Sequence, residues 1–231
     1  MKNPLLEFLF VRATVDKADT SGRWRRIRLR AEPLRTAGWQ PGQQVRIDVG
    51  PADALTPLLR TYSVWDRTED TIELQMLLHG DGPGARWVAA AKPGAEVLIS
   101  KPKGNFVVSA ACHHLFVGEE TASAAFGPML RALPAGAPVN AVIEVGGPAD
   151  QLELGRPVTW LHRGDRAAAS SAALLAAVAG LTLPEEAGQA YIAGEARTVQ
   201  AVKQHLIRER GWPRRAVLTK PFWTPGKKGM E

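Results

Sequence analysis

Cysteine is almost absent: Cys112 is the only one, so no intrachain disulfide can form, and no Cys/His cluster has zinc-site spacing. That points to a reducing compartment, with the cytoplasm as the expected location. Long apolar runs are missing as well. The nearest, residues 167–183, contains Ser170, Ser171, Gly180 and Thr182 and falls short of about 20 continuous apolar residues, so it predicts a buried helix and no stable membrane insertion. Near the amino terminus, Glu7 interrupts what would otherwise pass for the apolar core of an export signal, and a first strand is the expectation there. There are no internal repeats or low-complexity segments, and an apolar content of 45% beside 23% charged residues excludes a disordered chain. No helix-turn-helix, RRM or zinc-finger pattern surrounds the basic residues, and the seven tryptophans are scattered, so no nucleic acid is expected as a partner.

What is present divides in two. The length of 231 residues suits two compact domains of roughly 110 to 120 residues each. From Leu5 to about Ser109 there are six short alternating or apolar runs between Gly and Pro: 5–15, 24–30, 44–49, 60–66, 71–78 and 96–100. That rhythm predicts a six-stranded antiparallel barrel. In Arg26-Ile27-Arg28-Leu29-Arg30, Ile27 and Leu29 point inward and the arginines outward. Beyond residues 110–114, apolar strands (115–118, 139–145, 158–162, 191–194, 217–220) alternate with helical patterns at 121–133, 166–179 and 198–210, which implies a parallel sheet. The fold class is therefore a β-barrel over 1–111 followed by a Rossmann-like parallel α/β domain over 112–231.

The net charge of +6, with Arg23, Arg25, Arg26, Arg28, Arg30 and Arg35 close together, favours anionic ligands. A solvated strand face accounts for the same arginines. Arg60-Thr61-Tyr62-Ser63 opens a strand, which places Arg60 and Tyr62 on one side and Thr61 and Ser63 on the other. A guanidinium suits a phosphate and an aromatic suits a flavin ring or its ribityl chain; a plain strand-surface pair gives the same pattern. The run from His79 to Trp87 carries Gly80, Gly82, Pro83, Gly84 and Ala85 between a strand and a helix. Backbone N–H groups there can meet an anion at the helix N-terminus, although a simple strand-to-helix turn reads equally well.

The second half lacks G-x-G-x-x-G, so no standard dinucleotide fingerprint marks it. Gly118-Glu119-Glu120-Thr121-Ala122 instead joins a strand end to a helix start, where ligands of open α/β sheets bind. Glu119 and Glu120 repel phosphates, which leaves Thr121 and the neighbouring backbone as candidates. Arg163 and Arg166, beyond another strand end, could meet the 2′-phosphate of NADPH or be plain loop arginines. Glu195 could border a ligand or cap the next helix. His113, His114 and His205 read as structural, and no metal site is expected.

In their order, Trp24-Arg25-Arg26-Ile27-Arg28-Leu29, Arg60-Thr61-Tyr62-Ser63, His79 to Trp87, Val117 to Ala122 and Ala193-Gly194-Glu195-Ala196 resemble the siderophore-interacting protein family. These are FAD-dependent ferric-siderophore reductases of the ferredoxin-reductase-like superfamily; Phe222-Trp223 and Gly226 look like the family's aromatic tail. The resemblance implies an NAD(P)H-dependent enzyme in which Arg60, Thr61, Tyr62 and Ser63 contact the flavin, with Ser63 near its N5 edge. His79, Gly80, Gly82, Pro83, Gly84 and Ala85 would hold the rest of FAD. Gly194 and Glu195 would border the nicotinamide of NADPH or NADH, beside the strand-end candidates Thr121, Ala122, Arg163 and Arg166, and Phe222 and Trp223 would cover the flavin face where the nicotinamide enters. Ala85 departs from the family's usual small hydroxyl residue and removes one donor. No residue is demanded as acid, base or nucleophile, because the cofactor does the chemistry. The implied partner is an anionic ferric siderophore, steered by the net charge and by Lys220, Lys227 and Lys228, and the chain is expected to act as a monomer. Reduction of ferredoxin, flavodoxin or free flavin, and non-catalytic flavin or siderophore binding, are the alternatives.

Overall fold

The computed structural model describes residues 10–51, 54 and 56–227. Residues 5–9 of the first expected strand and Lys228 lie outside them. The chain forms two compact units that divide between Val107 and Val108.

The first unit is a curled antiparallel sheet: β1 (Phe10–Ser21), β2 (Trp24–Arg30), β3 (Gln44–Asp48), β4 (Leu59–Ser63), β5 (Asp66–Arg67), β6 (Thr71–Leu77) and β7 (Glu96–Ser100), in the order β4-β3-β7-β1-β2-β6-β5. Seven strands stand where six runs were expected, because the run 60–66 bends and is shared between two. β4 pairs with β3; then Val64 N donates to Gln43 O at 3.0 Å and Trp65 N to Glu73 O at 2.7 Å, and β5 pairs with β6. One continuous segment thus serves both edges of the sheet, which leaves fewer unpaired backbone groups at either. Alternation decides which side chains fill the curl. Ile27, Leu29, Ile47, Ile72, Leu74 and Ile99 are completely buried, each stabilising by about 1.5–3 kcal/mol. Helix α1 (Pro83–Ala90) follows β6 and turns Val88 into this core.

The second unit is a five-stranded parallel sheet in the order β10-β9-β8-β11-β12, built from β8 (His114–Glu119), β9 (Val139–Val145), β10 (Thr159–His162), β11 (Gln189–Glu195) and β12 (Val217–Trp223). Helices α2 (Glu120–Ala132), α3 (Ala172–Ala179) and α4 (Ala196–Gln204) connect them. Every residue of β8 is buried, as a central parallel strand covered on both faces requires. On one face Leu115, Val117 and Ile192 pack with Val178, Val199 and Val202. On the other, Phe116 stacks on Tyr191 at 4.8 Å and meets Phe126 edge-on at 5.2 Å.

Helix α3 begins at Ala172 rather than Arg166. Ser170 has φ +56, outside the helical region, and the Ser171 hydroxyl caps the helix by accepting from Leu174 N at 3.0 Å. The loop before it is tied by Arg163 and Arg166, each donating its Nε to the other's carbonyl at 3.1 and 3.0 Å. At the far end of α4 the helix passes into a π turn, His205–Glu209. β12 runs on through Pro221 to Trp223, a proline tolerated because this is an edge strand.

Candidate functional site

In the first unit, β4 and the glycine-rich turn meet at one point. Pairing sets Arg60 opposite Ile47 and Tyr62 opposite Val45, so both side chains fall on the core side of the sheet while Thr61 is exposed. The Tyr62 ring packs against the core and lies 6.5 Å from the Trp87 ring, tilted by 34°. Against Tyr62 sits Gly84, where a Cβ would stand 2.6 Å from the Tyr62 hydroxyl and 3.4 Å from Arg60 Cγ. No residue larger than glycine fits that position without moving Tyr62. Burial pushes the Tyr62 phenol up to about 12, against the pull of Arg60, so it stays a neutral donor across physiological pH.

The start of α1 completes this cradle. Gly82 is its N-cap, Pro83 follows, and no side chain caps the first turn. The leading N–H groups of a helix have no partner within it, so this turn offers donors to an anion. Arg60 is half-buried and gives Nη1 to Leu59 O at 2.6 Å, which leaves most of its fork available. Gly80 has φ +65, a left-handed value that suits glycine; His79, Gly80 and Gly82 are exposed, Pro83 and Ala85 half-buried. Ser63 is buried at the end of β4. An aromatic wall, a guanidinium and uncapped amides fit the ring and phosphates of FAD.

The arginine-rich β2 is not part of this opening. Arg26 meets Glu73 at 2.6 Å, Arg28 meets Glu73 at 3.3 Å, and Arg30 meets Asp70 at 2.9 Å and Asp16 at 3.3 Å. Arg35 pairs with Glu69 at 2.8 Å. Asp16 on β1, Glu73 on β6 and Asp70 just before β6 compensate Arg26, Arg28 and Arg30, as on a solvated strand face, while Arg25 donates to Thr20 Oγ1 at 3.4 Å and to Ala91 O.

In the second unit, the carboxyl ends of β8 and β11 lie side by side, Gly118 opposite Ala193, where the strand order reverses. Ligands of open α/β sheets bind at such a crevice. Here its lip is acidic and internally bonded. Glu119 is buried and accepts from Thr121 N at 2.9 Å, from Thr121 Oγ1, and from Trp223 Nε1 at 2.9 Å. Burial and then neighbouring Glu120 raise its carboxyl to about 7, although Thr121 and Trp223 pull it down. Glu120 holds Arg163 in a buried two-pronged pair, Oε2 to Nη1 at 2.5 Å and Oε1 to Nη2.

Glu195 caps α4 through Arg197 N at 3.0 Å and Thr198 N at 2.9 Å, and also accepts from Ser170 N at 3.0 Å. Burial pushes its carboxyl up, but these backbone donors outweigh that and hold it below the ordinary value. Glu144, opposite Glu119 on β9, takes the Ser171 hydroxyl at 2.7 Å. Gly194 has φ +121, and a Cβ there would meet Glu119 Oε1 at 2.6 Å; Ala122 is buried against Gly118 in the same way, 2.5 Å from where a Cβ would lie.

The site residues named from the sequence thus form two groups, one in each unit. Arg60, Tyr62, Gly84 and the α1 turn converge in the first. Thr121, Gly194, Glu195 and Trp223 converge in the second, with Thr121 engaged by Glu119, Arg163 engaged by Glu120, and Arg166 exposed beside them. The reading from sequence missed Trp87 as a wall of the cradle and Glu119 as the hub of the crevice. For Glu119 the signal was its place as the last residue of an apolar strand that meets a helix.

Sequence models of known families match both units. The siderophore-interacting FAD-binding domain matches residues 11–106 and the siderophore-interacting protein model residues 111–226. An uncharacterized protein of Mycobacterium tuberculosis is 33% identical over 174 residues, 68% of this chain and 62% of that protein. The chain therefore spans less than two thirds of that relative's length. Ferric vibriobactin reductase ViuB of Vibrio cholerae is 26% identical over 181 residues, 74% of this chain and 66% of ViuB. Among solved structures, the siderophore-interacting protein of Acinetobacter baumannii superimposes with a TM-score of 0.83 at 21% identity, over 94% of this chain and 91% of that one. The FAD/NAD-binding domain of Vibrio cholerae nitric oxide dioxygenase does so at 0.73 and 17%, over 93% and 99%, and so shares the fold. With both family models matched in order along the sequence, the chain belongs to the siderophore-interacting protein family, and its first unit is that family's FAD-binding domain.

Proposed function

We propose that the chain is a cytoplasmic NAD(P)H-dependent ferric-siderophore reductase that carries FAD in its first unit and takes the nicotinamide coenzyme at the strand ends of its second. The observation that carries this reading is the contact of Gly84 with Tyr62 and Arg60, which joins the Arg-x-Tyr-Ser strand to an uncapped helix start. When bound, FAD converts a two-electron hydride donor into two one-electron reductions, each turning one chelated Fe(III) into Fe(II). Reduction loosens the iron because a hard-oxygen chelator suits Fe(II) less well.

The residues of the chain have binding and placement roles. Arg60 and the amides at the start of α1 hold phosphate, the neutral Tyr62 hydroxyl donates, Trp87 and Tyr62 wall the ring, and Ser63 stands at the strand end. In the second unit, Thr121 and the backbone around Gly194 border the coenzyme. Arg163 is bound to Glu120, so Arg166 is left to meet a 2′-phosphate, and selection for NADPH over NADH is correspondingly weak. An anionic ferric chelate is the expected acceptor, but the ion-paired arginines of β2 do not supply its attraction. Exposed cations outside that ladder, such as Arg46 and Lys101, do.

The test is anaerobic. Flavin bleaching by NADH and NADPH is recorded, and the reduced protein is then mixed with ferric catecholate, neutral ferric hydroxamate or ferric citrate across a salt series. Faster reoxidation by the siderophore chelates than by dioxygen or citrate is expected, with the anionic one slowing as salt rises. Equal rates for all acceptors would favour a general flavin reductase, and no bleaching would leave a binding protein.

A further inference from the structure

Trp223 ends β12, yet its indole N–H reaches Glu119 at the end of β8, passing across the end of β11, which lies between them. Neighbouring strands are about 4.8 Å apart, so the side chain spans roughly two strand spacings. It can do so because the intervening position is Gly194, whose missing Cβ would otherwise stand 2.6 Å from the accepting oxygen. The indole therefore lies over the crevice at the strand ends.

We propose that Glu119 is a positioning residue, a proton-controlled latch that holds the Trp223 indole across the crevice when ionised and loosens it when protonated. This rests on the reading that a nicotinamide coenzyme enters that crevice. Three donors converge on the carboxylate, and of these only the Thr121 hydroxyl can reverse and accept. A proton on Glu119 is therefore accommodated by turning that hydroxyl, and the indole keeps only a neutral acceptor, with a bond about half as strong. The charged groups around the latch are Glu120 on α2, Glu144 opposite on β9, Arg163 paired with Glu120, and Glu195 beyond Gly194. Burial first, and then the charge of Glu120, favour the protonated form, in line with the rise of Glu119 to about 7, and Arg163 is already paired with Glu120.

The experiment uses the FAD-loaded protein and two readouts. Tryptophan fluorescence titrated from pH 5.5 to 8.5 is expected to show a transition near 7 that disappears in both Glu119→Gln and Trp223→Phe, with flavin absorbance and far-UV dichroism confirming that each variant is folded. In steady-state kinetics, KM for the coenzyme is expected to fall about five-fold from pH 8 to pH 6, with a smaller change in kcat, and to be flat in both variants. A fluorescence transition that survives in Glu119→Gln overturns the latch. So does a KM profile that survives in Trp223→Phe, since charge repulsion alone then explains it. If neither coenzyme bleaches the flavin at any pH, the proposed donor is wrong, and the fluorescence titration still decides the latch.

Discussion

The helix starts of the two units differ. In the second unit α2, α3 and α4 are each capped by a side chain of the chain itself, Glu119, Ser171 and Glu195. In the first, α1 begins on Gly82 with no side-chain cap. A capped helix has satisfied part of its own unpaired donors, whereas an uncapped one keeps them for a ligand. On the proposed function, that difference suits a first unit that holds the phosphates of a resident cofactor, and a second in which an anion must compete with the chain's own carboxylates, as fits a coenzyme that has to leave.

The largest effect is expected where a charge in the second unit is structural rather than ligand-binding. Arg163→Ala leaves Glu120 buried without its partner and should cost about 3 kcal/mol or more, read as a clear fall in Tm. An unchanged Tm with a selective loss of NADPH binding would return Arg163 to the ligand. Next comes Gly84→Val, which drives a side chain into Tyr62 and should weaken FAD on the order of 100-fold, about 2.7 kcal/mol. The flavin fluorescence titration that measures it should show unchanged affinity if the open helix start is not the cofactor's seat. Arg60→Ala should weaken FAD by about ten-fold by the same titration, a charged hydrogen bond being worth roughly 1.5–3 kcal/mol at most.

Two caps of the second unit should respond to pH with opposite signs. The folded-state carboxyl of Glu119 is raised, to about 7 from an ordinary 4.5, so its contribution is greatest below 4.5 and declines as pH climbs to about 7. That of Glu195 is lowered, so its contribution is present above 4.5 and is lost as pH falls through the folded value. Tm against pH should therefore flatten between 4.5 and 7 in Glu119→Gln and on the acid side in Glu195→Gln, with the Glu195 variant less stable by about 1 kcal/mol at neutral pH. The smallest effect is expected for Arg166→Ala, an exposed residue, which should raise KM for NADPH about two-fold and leave NADH unchanged.

Much of this was legible in the chain. The alternation of Ile27 and Leu29 with arginines set the faces of β2, and the change from alternating to continuous apolar runs marked the passage from an antiparallel to a parallel sheet. Tyr62 and Gly84 were both named as candidates from sequence, because strand periodicity and glycine spacing are local signals. Their contact was not legible, since 22 positions separate them and only the packing of α1 on β4 closes the gap. The start of α3 was misplaced because Ala167 to Ala169 favour helix, whereas Ser170 adopts a left-handed turn that the cap at Ser171 stabilises.

By itself the sequence determined the periodicities, the two-part organisation, the order of strands and helices along the chain, and the positions where glycine or a polar residue interrupts a pattern. These depend on neighbours within a few residues, where backbone geometry alone decides which side chains share a face. The tertiary structure decided which of the polar groups remain open. Arg26, Arg28 and Arg30 look like an anion-binding run until β1 and β6 bring Asp16, Asp70 and Glu73 alongside. Arg163 looks free until α2 presents Glu120, and Trp223 looks like a loose tail until β12 carries it within 2.9 Å of Glu119. Charge and hydrogen bonding act through space over a few ångströms, and residues that lie 104 positions apart in the chain reach that distance only once the sheet is assembled.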